Sequence, residues 1–168
     1  MRTVTIERPP ADYFSWVECF KKLTSGVPDA RVFEVLRKGS CPEYIGVRSS
    51  FHEQIQDAVN AIIASCIKEL KRDMTRYAES GETDGFHIAF RRFGKRINGC
   101  MFFTAIPFLD PDFCDELSRE TISQVNRFWA ELLNQIKKDT AARNNLKMAE
   151  ELLLIKRVRL LQDYRISG

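Results

Sequence analysis

Histidine is scarce in this sequence: His52 and His87 are the whole complement in 168 residues. A zinc centre draws several His or Cys ligands at close spacing. The five cysteines, Cys19, Cys41, Cys66, Cys100 and Cys114, are odd in number, widely spaced and form no Cys-x-x-Cys pair. Neither a metal site nor a disulfide framework is expected from such spacing. Three of the cysteines, Cys19, Cys66 and Cys100, sit inside apolar patterns, so the thiols read as free and buried in a reducing cytoplasm. No apolar run approaches the length of a membrane span, and Pro9-Pro10 stands where a secretory leader would need its apolar region. A cytoplasmic chain without a membrane partner or a cofactor is the expectation.

Catalytic signatures are missing as well. The sequence holds no Gly-x-Ser-x-Gly elbow, no His-Glu-x-x-His and no dinucleotide fingerprint. The run 85–95 is not a phosphate loop, because its spacing is wrong and Arg96 stands where a magnesium-binding Ser or Thr belongs. His87 and Cys100 could meet on paired strands, but no third group is present to orient them as a nucleophile and base. Asp110, Asp112, Asp115 and Glu116 cluster, yet acids at a helix start answer the positive end of the helix dipole and need no cation. An enzyme is the least favoured of the functional classes.

What the chain does have is apolar periodicity. Hydrophobic residues make up 44% and charged residues 29%, enough for one core under a soluble surface. The length fits a single domain, 1–168. Val4 and Ile6 suggest a short strand stopped by the two prolines. Tyr13, Trp16, Val17 and Phe20 repeat at steps of three and four, predicting a helix over 11–23. Residues 29–38 fit a short helix closed by Gly39, although the Val-Phe-Glu-Val core would also suit a strand. Together, 1–48 is read as a strand and helices.

Ser50 and Glu53 match a capping box that would open a long helix over 50–80. Phe51, Ile55, Ala58, Val59, Ile62, Ile63, Cys66 and Leu70 form its apolar stripe, with Lys68, Lys71, Arg72 and Arg76 on the other face. At 86–106 the pattern suggests strands. Phe86, Ile88 and Phe90 alternate with His87, Ala89 and Arg91, and 100–106 is apolar almost throughout. An antiparallel β-hairpin turning through Gly94 and Gly99 is predicted. Asp110-Pro111 then marks a helix start. No Gly or Pro occurs from 112 to 167, so helices should fill 111–165, with a break near 139–145 and a last helix over 146–164. The expected fold is α+β and mostly helical: long amphipathic helices around a small antiparallel hairpin sheet.

The charge is distributed unevenly. The total is only +3. Residues 85–100 carry four bases and no acid; 109–135 carry six acids against two bases; 137–168 carry eight bases against four acids. At the hairpin tip, Arg91, Arg92, Lys95 and Arg96 would stand beside Phe90 and Phe93, a mix of bases and rings suited to phosphates and stacked bases. Arg157 and Arg159 on the last helix would support them. The same four bases would also serve simply to solubilise a hairpin tip. A small non-enzymatic nucleic-acid-associated or regulatory protein, binding DNA or RNA with weak sequence selectivity, is one expectation. The other is an interaction module, in which Leu152, Leu153 and Ile155 on the last helix bury against a second copy or another protein.

Overall fold

The computed structural model describes residues 2–42, 48–80, 83–106 and 108–140. Among the described residues, regular structure consists of five α-helices, two very short strands and one 3-10 turn. Strand β1 is Thr3–Val4 and strand β2 is Val27–Pro28. They run parallel, with Thr3 opposite Val27 and Val4 opposite Pro28. The Val27 N–H donates to the Arg2 carbonyl at 3.0 Å, and the Asp29 N–H to the Val4 carbonyl at 3.0 Å. Gly26 makes this pairing possible: a Cβ there would lie 2.3 Å from the Arg2 carbonyl oxygen.

Helix α1 (Tyr13–Thr24) opens on Asp12, whose carboxylate accepts from the Ser15 N–H while the Ser15 hydroxyl caps in return. It buries Trp16 and Phe20 of the predicted face together with Cys19 and Leu23, while Tyr13 and Val17 are half-buried. Helix α2 (Ala30–Leu36) starts from Asp29, whose side chain accepts from the Arg31 N–H. The Trp16 indole donates to the Ser40 carbonyl at 2.8 Å, tying the segment after α2 back onto α1.

Helix α3 (Arg48–Ser80) is 33 residues long, about 50 Å at 1.5 Å per residue. Its apolar stripe is buried from Phe51 through Ile55, Ala58, Val59, Ile62, Ile63 and Cys66 to Leu70. The start differs from the expected capping box. The helix begins at Arg48, so Ser50 is already inside it, and its hydroxyl meets the Gln54 side-chain amide at 3.3 Å.

The predicted antiparallel hairpin at 86–106 does not form. Helix α4 (Thr83–Cys100) and a 3-10 turn (Met101–Ala105) occupy that stretch. The physical reason is a competing period. Ala89, Phe90, Phe93, Ile97 and Cys100 recur at helical steps, and all five are buried. Ile88, which strand alternation would bury, is 56% exposed. The two glycines read as turn residues lie within the helix, where each costs about 1 kcal/mol relative to Ala. Gly99 is held there by packing: the Phe33 ring of α2 lies where its Cβ would be, with Cδ2 only 2.2 Å away.

Helix α5 (Pro111–Thr140) starts as expected, with the Asp110 carboxylate accepting from the Asp112 N–H at 2.9 Å. It buries Leu117, Val125, Phe128, Trp129 and Leu132. One apolar cluster joins all five helices. At one end Trp16, Phe20, Phe51, Phe103 and Phe108 meet at ring-centroid distances of 5.3–6.4 Å. Toward the other, Phe90 and Phe93 of α4 each lie 5.7 Å from the Trp129 ring of α5. The molecule is thus mostly helical with a small sheet, but that sheet is parallel and lies near the N-terminus. The break near 139–145 and the helix over 146–164 fall outside the described residues, apart from the end of α5.

Candidate nucleic-acid interface

Helices α3 and α4 run antiparallel, because Glu69 of α3 pairs with Arg96 of α4 while Asp73, one turn further along α3, pairs with Arg92, one turn earlier on α4. The matched spacing sets an acid pair at i, i+4 against a base pair at i, i+4. Arg96 and Glu69 are the inner pair, with side chains only 11% and 14% exposed. Arg92 and Arg72 lie further out, at 46% and 56%. Both outer guanidinium groups reach both acids: Arg72 lies 4.0 Å from Glu69 and 3.4 Å from Asp73, and Arg92 lies 3.8 Å and 3.6 Å from the same carboxylates.

This arrangement divides the predicted basic group. Arg91 and Lys95 are exposed on the outward face of α4. Arg92 stands at the border with α3, half open. Arg96, expected at the outermost point of a turn, is buried instead. On a helix it falls four residues from Arg92, on the side that faces Glu69. Arg157 and Arg159, and the apolar residues Leu152, Leu153 and Ile155, lie outside the described residues.

The structure also adds members that the linear pattern did not connect. Arg72 reaches the seam from α3, and the exposed Arg76 follows it one turn later. Among the described side chains here, Arg72, Arg92 and Arg96 pair with Glu69 and Asp73, and Arg91 and Lys95 stand exposed on the same helix pair. These five bases against two acids leave a local excess of three positive charges. The spacing of Glu69 to Asp73 and of Arg92 to Arg96 was a usable signal, but only once both segments are known to be helical.

Burial pushes the Cys66 thiol up to about 12 and raises that of Cys100 further. Burial also raises Cys19 and Cys114. A nucleophile must be a thiolate, so Cys100 does not suit the pairing with His87, whose side chain is not among those described. Among the described residues, no three His, Cys, Asp or Glu side chains converge as a metal site would require. Between α3 and α5 an open hollow of about 310 Å³ is lined by Ile67, Lys71, Gln124, Arg127, Phe128 and Glu131. Its charged residues are all exposed, and the Lys71 ammonium sits 5.7 Å from the Phe128 ring centroid. No described helix is long and apolar enough to cross a membrane. The chain is mostly helical with a small sheet, and among the described residues the α3–α4 seam brings basic side chains from two helices together. Comparison with protein-family models, with curated proteins and with solved structures finds no match for it.

Proposed function

We infer that this is a non-enzymatic protein that associates with nucleic acid through the α3–α4 seam, with weak sequence selectivity. The supporting observation is the convergence of two half-exposed arginines from different helices, Arg72 and Arg92, beside the exposed Arg76, Arg91 and Lys95. Guanidinium groups offer five N–H donors in a planar fork, a shape that matches phosphate oxygens. Anchored on rigid helices, they lose less freedom on binding than the same residues on a loop. The described side chains of this face are guanidinium and ammonium groups, so contacts to the phosphate backbone would dominate.

Such binding releases counterions, so log K falls with log salt by about 0.9 per phosphate contacted on duplex DNA. Binding of a random-sequence duplex should therefore be measurable at low salt and steeply salt-sensitive. Changing Arg72, Arg76, Arg91 and Lys95 together to Ala should flatten that slope while the protein stays folded, since all four side chains are exposed. Wild-type protein that fails to bind at low salt, or a quadruple variant with an unchanged slope, would overturn this reading.

A further inference from the structure

The ion pairs of the seam differ in kind. Glu69 gives one carboxylate oxygen, Oε2, to the buried Arg96, and its Oε1 lies only at the margin of the two outer arginines, 4.0 Å from Arg72 and 3.8 Å from Arg92. Asp73 is different. Its side chain is only 12% exposed, yet it meets the two outer arginines at 3.4 and 3.6 Å, one on each carboxylate oxygen. Those distances are long for charge-assisted hydrogen bonds, which close to about 2.7–2.9 Å. Most of the N–H donors of Arg72 and Arg92 are therefore not spent on tight bonds to Asp73. Two guanidinium groups converge on one small anion, from two helices, with their outer edges open to solvent.

We propose that Arg72 and Arg92 form a two-pronged site for one phosphate group of the nucleic-acid backbone, and that Asp73, seated between the prongs, competes with that phosphate for them. The proposal rests on the nucleic-acid reading of the seam and deepens it. A phosphodiester carries one negative charge and presents two unesterified oxygens. It can accept one guanidinium on each oxygen, as the Asp73 carboxylate does. Asp73 keeps the two arginines converged while the site is empty, and its charge repels the incoming phosphate. The exposed Arg91 and Lys95, which make no ion pair in the structure with Glu69 or Asp73, steer the polyanion without choosing where a phosphate sits.

Asp73→Asn tests this cleanly. The amide keeps the size and an acceptor oxygen but removes the charge, and the neighbours it leaves, Arg72 and Arg92, are half in water. Glu69 is unsuitable, because its loss would strand Arg96 in the interior. Random-sequence DNA duplex is titrated at low salt against wild type, Asp73→Asn and Asp73→Ser, with a thermal melt of each to confirm folding. Both variants should bind on the order of tenfold tighter than wild type, as expected for removing one charge a few ångströms from a phosphate. The gain should shrink as salt rises. It should also vanish when Arg72→Gln and Arg92→Gln are added, because the competition exists only where the prongs do.

Folded Asp73 variants that bind no tighter than wild type overturn the proposal and leave the nucleic-acid reading standing. A gain that persists without both arginines overturns it too, since the effect would then be one of general charge. Absence of binding by wild type and by both variants removes the proposal and the reading together.

Discussion

Arg91 and Arg96 are five residues apart in one basic stretch, and the structure sends them in opposite directions. Arg91 faces water; Arg96 is buried against Glu69. Their substitutions should differ accordingly. Arg96→Ala leaves a carboxylate partly unpaired in a largely dry site and should cost about 3–5 kcal/mol. Arg91→Ala should change stability by no more than about 0.5 kcal/mol. Urea unfolding of the two variants checks this, and equal effects would contradict the placement of Arg96. Gly99 is a second residue whose role is steric. A methyl group there meets the Phe33 ring, so Gly99→Ala should lose about 1–3 kcal/mol through overpacking, even though Ala is the better helix former. A stabilised Gly99→Ala protein would mean that α2 and α4 are not in such close contact.

At the scale of elements, α4 is the instructive case. Its sequence satisfies two periods at once over a short window. Phe86, Ile88 and Phe90 fit a strand, while Ala89, Phe90, Phe93 and Ile97 fit a helix. A window of five residues cannot separate them; one of twelve favours the helix, because Phe93 and Ile97 extend only the helical series. The two descriptions disagree about Ile88. A strand would bury it, whereas α4 leaves it 56% exposed. Ile88→Lys should therefore shift the melting temperature by no more than a couple of degrees, while Phe90→Ala, beneath the Trp129 ring, should cost about 3–5 kcal/mol. Strong destabilisation by Ile88→Lys would argue against the exposed face of α4. Elements with one uncontested period were legible from sequence: the helices α1 and α3 and the start of α5 lie where their apolar spacing puts them, although α3 begins at Arg48, ahead of the expected capping box.

For the whole molecule, the buried thiols link folding to alkaline pH. Cys66 has a folded pKa of about 12 against an ordinary 9.0, and burial raises Cys19, Cys100 and Cys114 in the same direction. A group whose pKa is raised by folding keeps its proton in the native state after the unfolded chain has lost it. Its contribution is complete below pH 9 and is lost as pH climbs toward the folded value. Stability measured by urea should accordingly fall between pH 9 and 12. The exposed Cys41 should react with a thiol reagent at neutral pH, while Cys66 and Cys100 react only on unfolding. Rapid labelling of Cys66 in the native protein would contradict a packed α3–α4 interface.

Local sequence by itself determined the helical character of much of the chain, the cap at Asp110, the stripe of α3 and the uneven spread of charge. These follow from spacing within a few turns, which a helix converts directly into a face. Tertiary structure decided the rest. Helix α4 packs with Phe33 filling the space at Gly99 and with Trp129 receiving Phe90 and Phe93, contacts between residues far apart in the chain. Which bases stayed free depended on the antiparallel approach of α3 and α4, which turned Arg96 inward and brought Arg72 alongside Arg92. Charge is a property of each residue, but its availability to a partner is set by whatever opposite charge the fold places beside it.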